Sequence, residues 1–376
     1  MSPRVGLVMI VKNEEAVIER ALRSVLPFIS TYMIVDTGST DKTKEIVSSV
    51  LSDVSGLIVD RPWKNFGANR SEALAMCDEH MDWAIMLDAD DTLEGTVPPP
   101  ELWSHSELDG IILTIHHESI RHQRIQVFHT GRGWRYSGVV HEFPVCEAPL
   151  TQGPTLGHFP SETFMVTRCE GSRSQDPNKY IKDAHLLEVE LLTTSDRART
   201  LFYLAQSYRD ANCRDAAVST YRRYLIEVSS DSTTQEYYMV LVNLIRMVDS
   251  EQDQFKLTWQ ALELCPARLE AQYTLLQRRR TTTTTNTTKP SLQLFSIGTA
   301  VTNRTPNPMD LLSSPGIYAW EMDNELALVA YSLGRYQVAY NSLARCMIYA
   351  PTPEMREAAR VSILKTMARM ESVLHA

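Results

Sequence analysis

Three carboxylates stand within four positions at Asp88-Ala89-Asp90-Asp91, directly after the apolar run Trp83-Ala84-Ile85-Met86-Leu87. Acids this close repel one another unless a cation sits among them. Hard oxygen ligands of this kind suit Mg²⁺ or Mn²⁺, ions that commonly bridge a carboxylate and a substrate phosphate. The apolar run reads as a buried strand, and in an open α/β sheet ligands gather outside the carboxyl ends of the strands. The spacing points to a divalent cation and a phosphorylated ligand; the plainer alternative is a solvated acidic turn. Two other strand ends carry polar groups: Val5–Val11 is followed by Asn13 and Glu14, and Tyr32–Val35 by Asp36. A nucleotide lying across these three ends would meet all of them.

The elements that must position these groups follow from hydrophobic patterning. Val5–Val11 is continuous and rich in β-branched residues, as expected of a strand buried on both faces. Val17, Ile18, Ala21, Leu22 and Val25 recur at helical spacing, with Asn13 as a candidate cap, until Pro27 ends the pattern. Gly56–Val59 reads as a third strand, a helix from Ala68 or Asn69 runs to about His80, and Trp83–Leu87 is the fourth strand. Strand and helix alternate over short connections, which predicts a doubly wound, mostly parallel sheet. Neither a GxGxxG turn nor a GxxxxGK[ST] loop is present, which speaks against a dehydrogenase-type dinucleotide fold and excludes a Walker-type phosphate loop. Past Pro98-Pro99-Pro100 a mixed β region is expected, with strands at Gly110–Ile115 and Gln126–Phe128 and a segment Gly131–Glu142 that reads as a turn and then a strand ending in polar residues.

The chain has 376 residues, more than one compact domain usually holds, and its net charge of −9 disfavours a general affinity for nucleic acid. Six scattered cysteines form no CxxC pair, which speaks against a zinc site or disulfide framework and suits a reducing compartment. No apolar segment is long enough to span a membrane and no signal peptide is evident, so a cytoplasmic location is expected. The polar stretch Arg168–Pro177 marks the expected boundary between a domain at 1–170 and a helical one at 171–376. In the latter, Arg199–Tyr208 with Asp215–Tyr221, and Glu325–Tyr331 with Tyr336–Leu343, read as helix pairs. The late copy, with Ala327, Gly334, Tyr336, Ala339, Leu343 and Pro351, resembles a tetratricopeptide pair. A flexible Thr-rich loop is expected around 279–315.

Taken together, Val11-Lys12-Asn13-Glu14-Glu15, Val35-Asp36-Thr37-Gly38-Ser39-Thr40-Asp41, Trp63-Lys64-Asn65-Phe66-Gly67-Ala68-Asn69-Arg70 and Leu87-Asp88-Ala89-Asp90-Asp91 resemble glycosyltransferase family 2 over roughly residues 4–145. The fusion to tetratricopeptide-like helices resembles a subgroup of that family. The resemblance implies a GT-A fold, Rossmann-like with a mostly parallel sheet, followed by an all-α domain. It implies a nucleotide-sugar donor, UDP-linked above all, and transfer with inversion. Asp36 would hold the base or ribose, with the backbone near Val11, and Asn13, Glu14, Asn69 and Arg70 close by. Asp88 would face the ribose and Asp90 the metal, Mn²⁺ or Mg²⁺. His141 and Glu142 resemble a recurring active-site segment, His141 completing the metal shell and Glu142 acting as general base, or with the roles exchanged; Asp109 is a second candidate base. The acceptor is open among peptide, saccharide and modified nucleobase, with the helical domain binding it or forming a homodimer.

Inversion requires one in-line displacement by an acceptor that a base deprotonates. Negative charge grows on the leaving phosphate, which a divalent cation stabilises. Two competing readings remain from the residues alone. A nucleotidyltransferase would need a basic glycine-rich loop where Lys12-Asn13-Glu14-Glu15 stands, and a helical scaffold with a degenerate first domain would not keep Asp88, Asp90 and Asp91.

Overall fold

The computed structural model describes residues 3–104, 107–117, 120–147, 153–229, 234–283, 291–300, 310 and 314–375. It divides into two compact units, Met1–Ala211 and Asn212–Ala376. In the first, β1 (Val5–Val11), α1 (Ile18–Val25), β2 (Thr31–Asp36), α2 (Thr43–Val50), β3 (Ser55–Asp60), α3 (Phe66–Ala75) and β4 (Trp83–Met86) alternate as the patterning predicts. Then come β5 (Thr92–Gly95), β6 (Gly110–His117), β7 (Ile120–His129), β8 (Trp134–Ser137), β9 (Phe143–Cys146), β10 (Leu156–His158) and β11 (Thr163–Val166). The helices α4 (Lys179–Glu190) and α5 (Arg197–Asp210) complete the unit.

The main sheet has the order β3-β2-β1-β4-β7-β6-β11-β5, with β10 beside β6. The first four strands are parallel, β7 runs antiparallel to β4 and β6, and β11 is parallel to β6 but antiparallel to β5. Successive residues of β1 point to opposite faces. Leu7 and Met9 join Ile18, Leu22, Val47 and Ile85 in one core cluster; Val8 joins Met33, Ala73, Leu74, Met86, Trp134 and Tyr136 in the other. Helices on both faces explain why β1 and β4 are apolar throughout. The result is the mostly parallel α/β architecture expected. Between Ile111 and Ile112 the β6–β7 register shifts, so that Gln126 is an extra residue on β7. Such a bulge bends the strand beside the ends of β1 and β4.

The second unit is helical where described: α6 (Arg214–Glu227), α7 (Thr234–Met247), α8 (Glu251–Leu264), α9 (Glu270–Thr283), α10 (Leu292–Thr299), α11 (Met322–Ser332), α12 (Tyr336–Tyr349) and α13 (Pro353–Leu374). Glu325–Leu343 is a tetratricopeptide-like pair, α11 and α12 reversing at Gly334, whose φ of 70° is open to glycine at little cost.

Three expectations change. The change from strands to helices falls between β11 and α4, whereas the first compact unit continues to Ala211 and takes α4 and α5 with it; the expected pair α5–α6 is therefore divided between the units. Within the expected Thr-rich loop, α9 continues to Thr283 and α10 occupies Leu292–Thr299, where Ser291 caps by accepting from the Leu294 amide; residues 284–290, 301–309 and 311–313 of that loop lie outside the described residues. His141 and Glu142 do not end a strand. They lie in the turn between β8 and β9, opened by Gly138 at φ 96° and carrying His141 itself at φ 53°. Among the described residues, no helix is long and apolar enough to cross a membrane.

Candidate active site

The ends of β2, β1 and β4 lie side by side, and their exit loops are laced together. Asn13, in the left-handed region at φ 55°, accepts from the Thr40 amide through Oδ1 at 2.8 Å, and its own amide donates to Ser39 Oγ at 3.0 Å. It joins the β1 and β2 exits instead of capping α1, whose start has no side-chain cap. The Val11 carbonyl accepts from both the Thr37 amide and its hydroxyl, so its two lone pairs are engaged by the protein, and a ligand contact through the backbone near Val11 would fall to another group. Asp36 is 1% exposed. Its Oδ1 accepts from the Gly38 and Ser39 amides at 2.8 and 2.7 Å, while Oδ2 is buried with no hydrogen-bond partner. An oxygen left unsatisfied among the described residues is costly when buried, and at a strand end it could accept from a ligand N–H or O–H.

Asn69 is displaced from its expected role. Its amide holds the preceding loop, accepting from the Lys64 amide at 2.9 Å and donating to the Pro62 carbonyl at 3.1 Å, and the residue is fully buried. It orients α3, and through α3 it orients Arg70. The same helix is seated on the β8–β9 turn. A Cβ on Gly67 would come within 2.2 Å of the Gly138 carbonyl, and the Tyr136 amide donates to Ser71 Oγ at 2.8 Å. This close approach brings two distant acids to one cation. Arg70 donates through Nη2 to Asp88 Oδ1 at 2.6 Å, and its Nε lies 2.8 Å from Glu142 Oε1. The second contact is an ion pair without the alignment of a hydrogen bond, since Nε has no aligned acceptor. Burial works against the Arg70 charge; Asp88, Glu142 and Tyr136 more than offset it and raise its pKa. Burial pushes the Asp88 pKa up, but Arg70, Arg124 and Arg173 hold it below the ordinary value.

Beyond Asp88, the segment from Glu170 to Ser172 lies over the remaining acids. The Gly171 amide donates to Asp90 Oδ2 at 2.9 Å, the Ser172 amide donates to Glu14 Oε2 at 3.1 Å, and Arg20 pairs with Glu170 at 2.5 Å. Burial raises the Glu14 pKa, as do Asp90 and Asp88, against the Ser172 hydrogen bonds. Asp91 is 1% exposed, and burial, Asp88 and Asp90 push its pKa up to about 8. Burial leads both shifts and the neighbouring acids add to them, so these carboxylates favour a proton or a cation close by. No group of three or more His, Cys, Asp or Glu that could hold a metal ion is assembled among the described residues. The expected set of Asp88, Asp90 and His141 is therefore not formed. The hard oxygens of Asp88 and Asp90 do suit Mg²⁺ or Mn²⁺ shared with ligand phosphates, the usual manner of binding such ions.

His141 instead stacks on Tyr203, ring centroids 4.2 Å apart and planes 13° apart, and its carbonyl accepts from Arg199 at 2.9 Å. His141 is an exposed residue, but crowding of the ring by its neighbours removes part of its hydration and lowers its pKa to about 4, opposed by Asp183 and assisted by Arg173, Arg199 and Lys179. His141, Glu142, Asp88 and Arg70 all line one cavity of about 640 Å³. Asp109 is elsewhere. Its Oδ2 accepts from the Thr155 amide, and its carbonyl from the His129 amide and the Trp134 indole. His129 pairs with Trp83 at the start of β4, and Asp88 lies five residues on, roughly 16 Å along a strand. Asp109 thus stands at the wrong end of the sheet to be the base. Arg124, Arg173, Arg199 and Tyr203 also line the cavity, and none is evident from local sequence. Arg173 falls in the polar stretch read as a boundary, and Arg199 in a helix assigned to the other domain.

Residues 7–103 match the profile of Glycosyl transferase family 2. The N-terminal part of this chain is a glycosyltransferase family 2 domain. An uncharacterized glycosyltransferase of Rickettsia bellii is 34% identical over 93 residues, which is 25% of this chain and 30% of the relative. A TPR repeat-containing protein of Synechococcus elongatus is 33% identical over 91 residues, 24% of this chain and 21% of that protein. The chain thus spans about a third or less of the length of these relatives. Among solved structures, Staphylococcus aureus TarS 1–349 aligns with a TM-score of 0.34 and 11% identity, covering 77% of this chain and 93% of that one. The family 2 domain is joined to a helical, tetratricopeptide-like unit, the architecture that the motifs imply.

Proposed function

We propose that this chain is an inverting glycosyltransferase that moves a sugar from a nucleotide diphosphate sugar to an acceptor hydroxyl. The observation that carries this reading is Arg70, which ties Asp88, at the donor end of β4, to Glu142, across the mouth of the same cavity. The nucleotide lies over β2, β1 and β4. The orphaned Asp36 Oδ2 accepts from the base, which favours uracil, whose N3–H is a donor, over cytosine, whose N3 is an acceptor. UDP meets this requirement, as the N1–H of GDP also would, and UDP is the common donor nucleotide of the family resembled. Asp88 faces the ribose, and Asp88 with Asp90 would hold Mn²⁺ or Mg²⁺ together with diphosphate oxygens. When bound, that cation would supply charge neutralisation for the leaving diphosphate.

In the displacement, the acceptor oxygen forms a bond to the anomeric carbon as the bond from that carbon to the diphosphate oxygen breaks. The proton of the acceptor hydroxyl passes to Glu142, and the nucleoside diphosphate leaves with the bonding electron pair. Arg70 positions the Glu142 carboxylate and fixes its distance from Asp88. His141, uncharged at neutral pH, shapes the cavity wall through its stack on Tyr203. Segment 170–172 covers Asp90 and Glu14 and must yield when the diphosphate and its cation enter.

The test is turnover with UDP-sugars by the full chain and by Glu142→Gln. Loss of a general base lowers turnover by about 10²–10⁴-fold, with UDP affinity retained. A Glu142→Gln protein that transfers at near the native rate would move the base elsewhere.

A further inference from the structure

We infer that the cavity beside Asp88 is an acceptor subsite built for a phosphate, so that the sugar is transferred to a molecule carrying a phosphate group. This rests on the transferase reading above. The cavity receives guanidinium groups from four separate elements: Arg70 from α3, Arg124 from β7, Arg173 from the Ser172–Gln175 turn and Arg199 from α5. Its wall carries two carboxylates, Asp88 and Glu142, and Arg70 engages both. Arg173 pairs with Asp183 and lies over the Phe66 ring at 4.2 Å. Arg199 lies over the rings of Phe143 and Tyr203 at 4.5 and 4.8 Å while donating to the His141 carbonyl, so its plane is fixed toward the cavity wall. Arg124 is half-buried, and among the described residues it has neither an ion pair nor a hydrogen bond. Its charge is felt by Asp88 and Asp91 across the site, but its N–H groups are left for a ligand, and leaving such donors half-buried is costly.

Set against Asp88, Glu142 and Asp183, the four guanidinium groups leave one positive charge over, which calls for an anion. Guanidinium forks from several directions match the tetrahedrally spread oxygens of a phosphate, monoester or diester, better than the two coplanar oxygens of a carboxylate. The position on the sheet separates this anion from the donor diphosphate. Asp36, Asn13 and Glu14 mark the donor track along β2, β1 and β4, and none of them lines the cavity. The cavity lies on the other side of Asp88, over β7 and the β8–β9 turn, where Glu142 awaits the acceptor hydroxyl.

The experiment is calorimetric titration of the full chain, saturated with UDP, with glycerol 3-phosphate, its diester with a second glycerol, glycerate and glycerol. The expected result is that a phosphorylated probe binds the UDP-loaded protein at least tenfold more tightly than glycerate or glycerol. Arg124→Gln is expected to weaken that binding at least tenfold more than it weakens UDP. Tighter binding of the monoester marks a small phosphorylated acceptor, and tighter binding of the diester marks a phosphodiester chain. Three results overturn the inference: exclusion of phosphate probes by UDP, which would make the cavity the diphosphate site; glycerate binding as tightly as the phosphates; or phosphate binding untouched by Arg124→Gln. If UDP fails to bind while Arg124-dependent phosphate binding persists, the transferase reading falls, and with it the acceptor role, but the phosphate site stands.

Discussion

Arg70 is the residue whose replacement is most informative. In Arg70→Gln, Glu142, 8% exposed, becomes a buried carboxylate with no other ion pair among the described residues. Breaking a buried pair from one side costs about 3–5 kcal/mol. The Asp88 side chain keeps 35% of its surface exposed, and loss of its contact adds about 1 kcal/mol or less. The glutamine amide restores one hydrogen bond, returning about 1 kcal/mol. A net loss of about 3 kcal/mol is expected, which at ordinary denaturant sensitivities lowers the urea midpoint by about 1 M. Tryptophan fluorescence reads the relevant unit, because Trp63, Trp83, Trp103 and Trp134 lie in it and only Trp259 and Trp320 lie outside. The decisive comparison is the double variant with Glu142→Gln. With both charges gone, the buried carboxylate is no longer stranded, and the double variant should recover about 2 kcal/mol relative to the sum of the single changes. Additivity within about 0.5 kcal/mol would refute the claim that these side chains form one buried pair.

Other consequences can be measured separately. Asp36→Asn keeps the oxygen that caps Gly38 and Ser39 but replaces the orphaned Oδ2 with a donor, so UDP affinity should fall at least about tenfold, the scale of one lost hydrogen bond to a charged group; equal affinity would remove Asp36 from the base site. Gly67→Ala forces a methyl onto the Gly138 carbonyl and should destabilise the unit by about 1–3 kcal/mol and slow turnover by loosening the seat of Arg70, which unfolding and rate measurements on one preparation would check. The His141 ring, with a pKa lowered to about 4 against an ordinary 6.5, binds fewer protons folded than unfolded between those values. Its contribution to stability is complete above pH 6.5 and is lost as pH falls through 4; an NMR titration of the ring with a midpoint near 6.5 would contradict the desolvation. Burial raises the Cys77 pKa to about 12, so at pH 8 it should resist alkylation while exposed Cys169 reacts, as peptide mapping would show.

What could be read from the sequence follows the physics of each element. β1 to β4 are legible because parallel strands covered on both faces are continuous apolar runs closed by polar residues, and Asp36, Asp88 and Asp90 are placed by that rule alone. Arg70 and Glu142 are each recognisable, but their contact spans 72 positions and depends on Gly67 meeting Gly138, which no local pattern encodes. Asp109 reads as a second candidate base by residue type, and only the antiparallel register of β6, β7 and β4 shows which end of the sheet it occupies. Asn69 reads as a ligand group by type and motif, yet its amide is occupied by the Pro62–Lys64 loop. The helices α4 and α5 look like the start of the repeat array, because amphipathic spacing reports that a face is buried and not what buries it. Three of the cavity's arginines were hidden by the same ambiguity: a charged residue on an amphipathic element reads as solvated until the opposing wall is known.

The most direct test of the central claim is calorimetric titration of the full chain with UDP, with and without Mn²⁺, beside CDP and Asp36→Asn. UDP is expected to bind, Mn²⁺ to tighten that binding, and CDP to the native chain and UDP to the variant to bind at least tenfold more weakly. Failure of UDP to bind under either condition would contradict the claim and turn attention from the sheet to the helical unit.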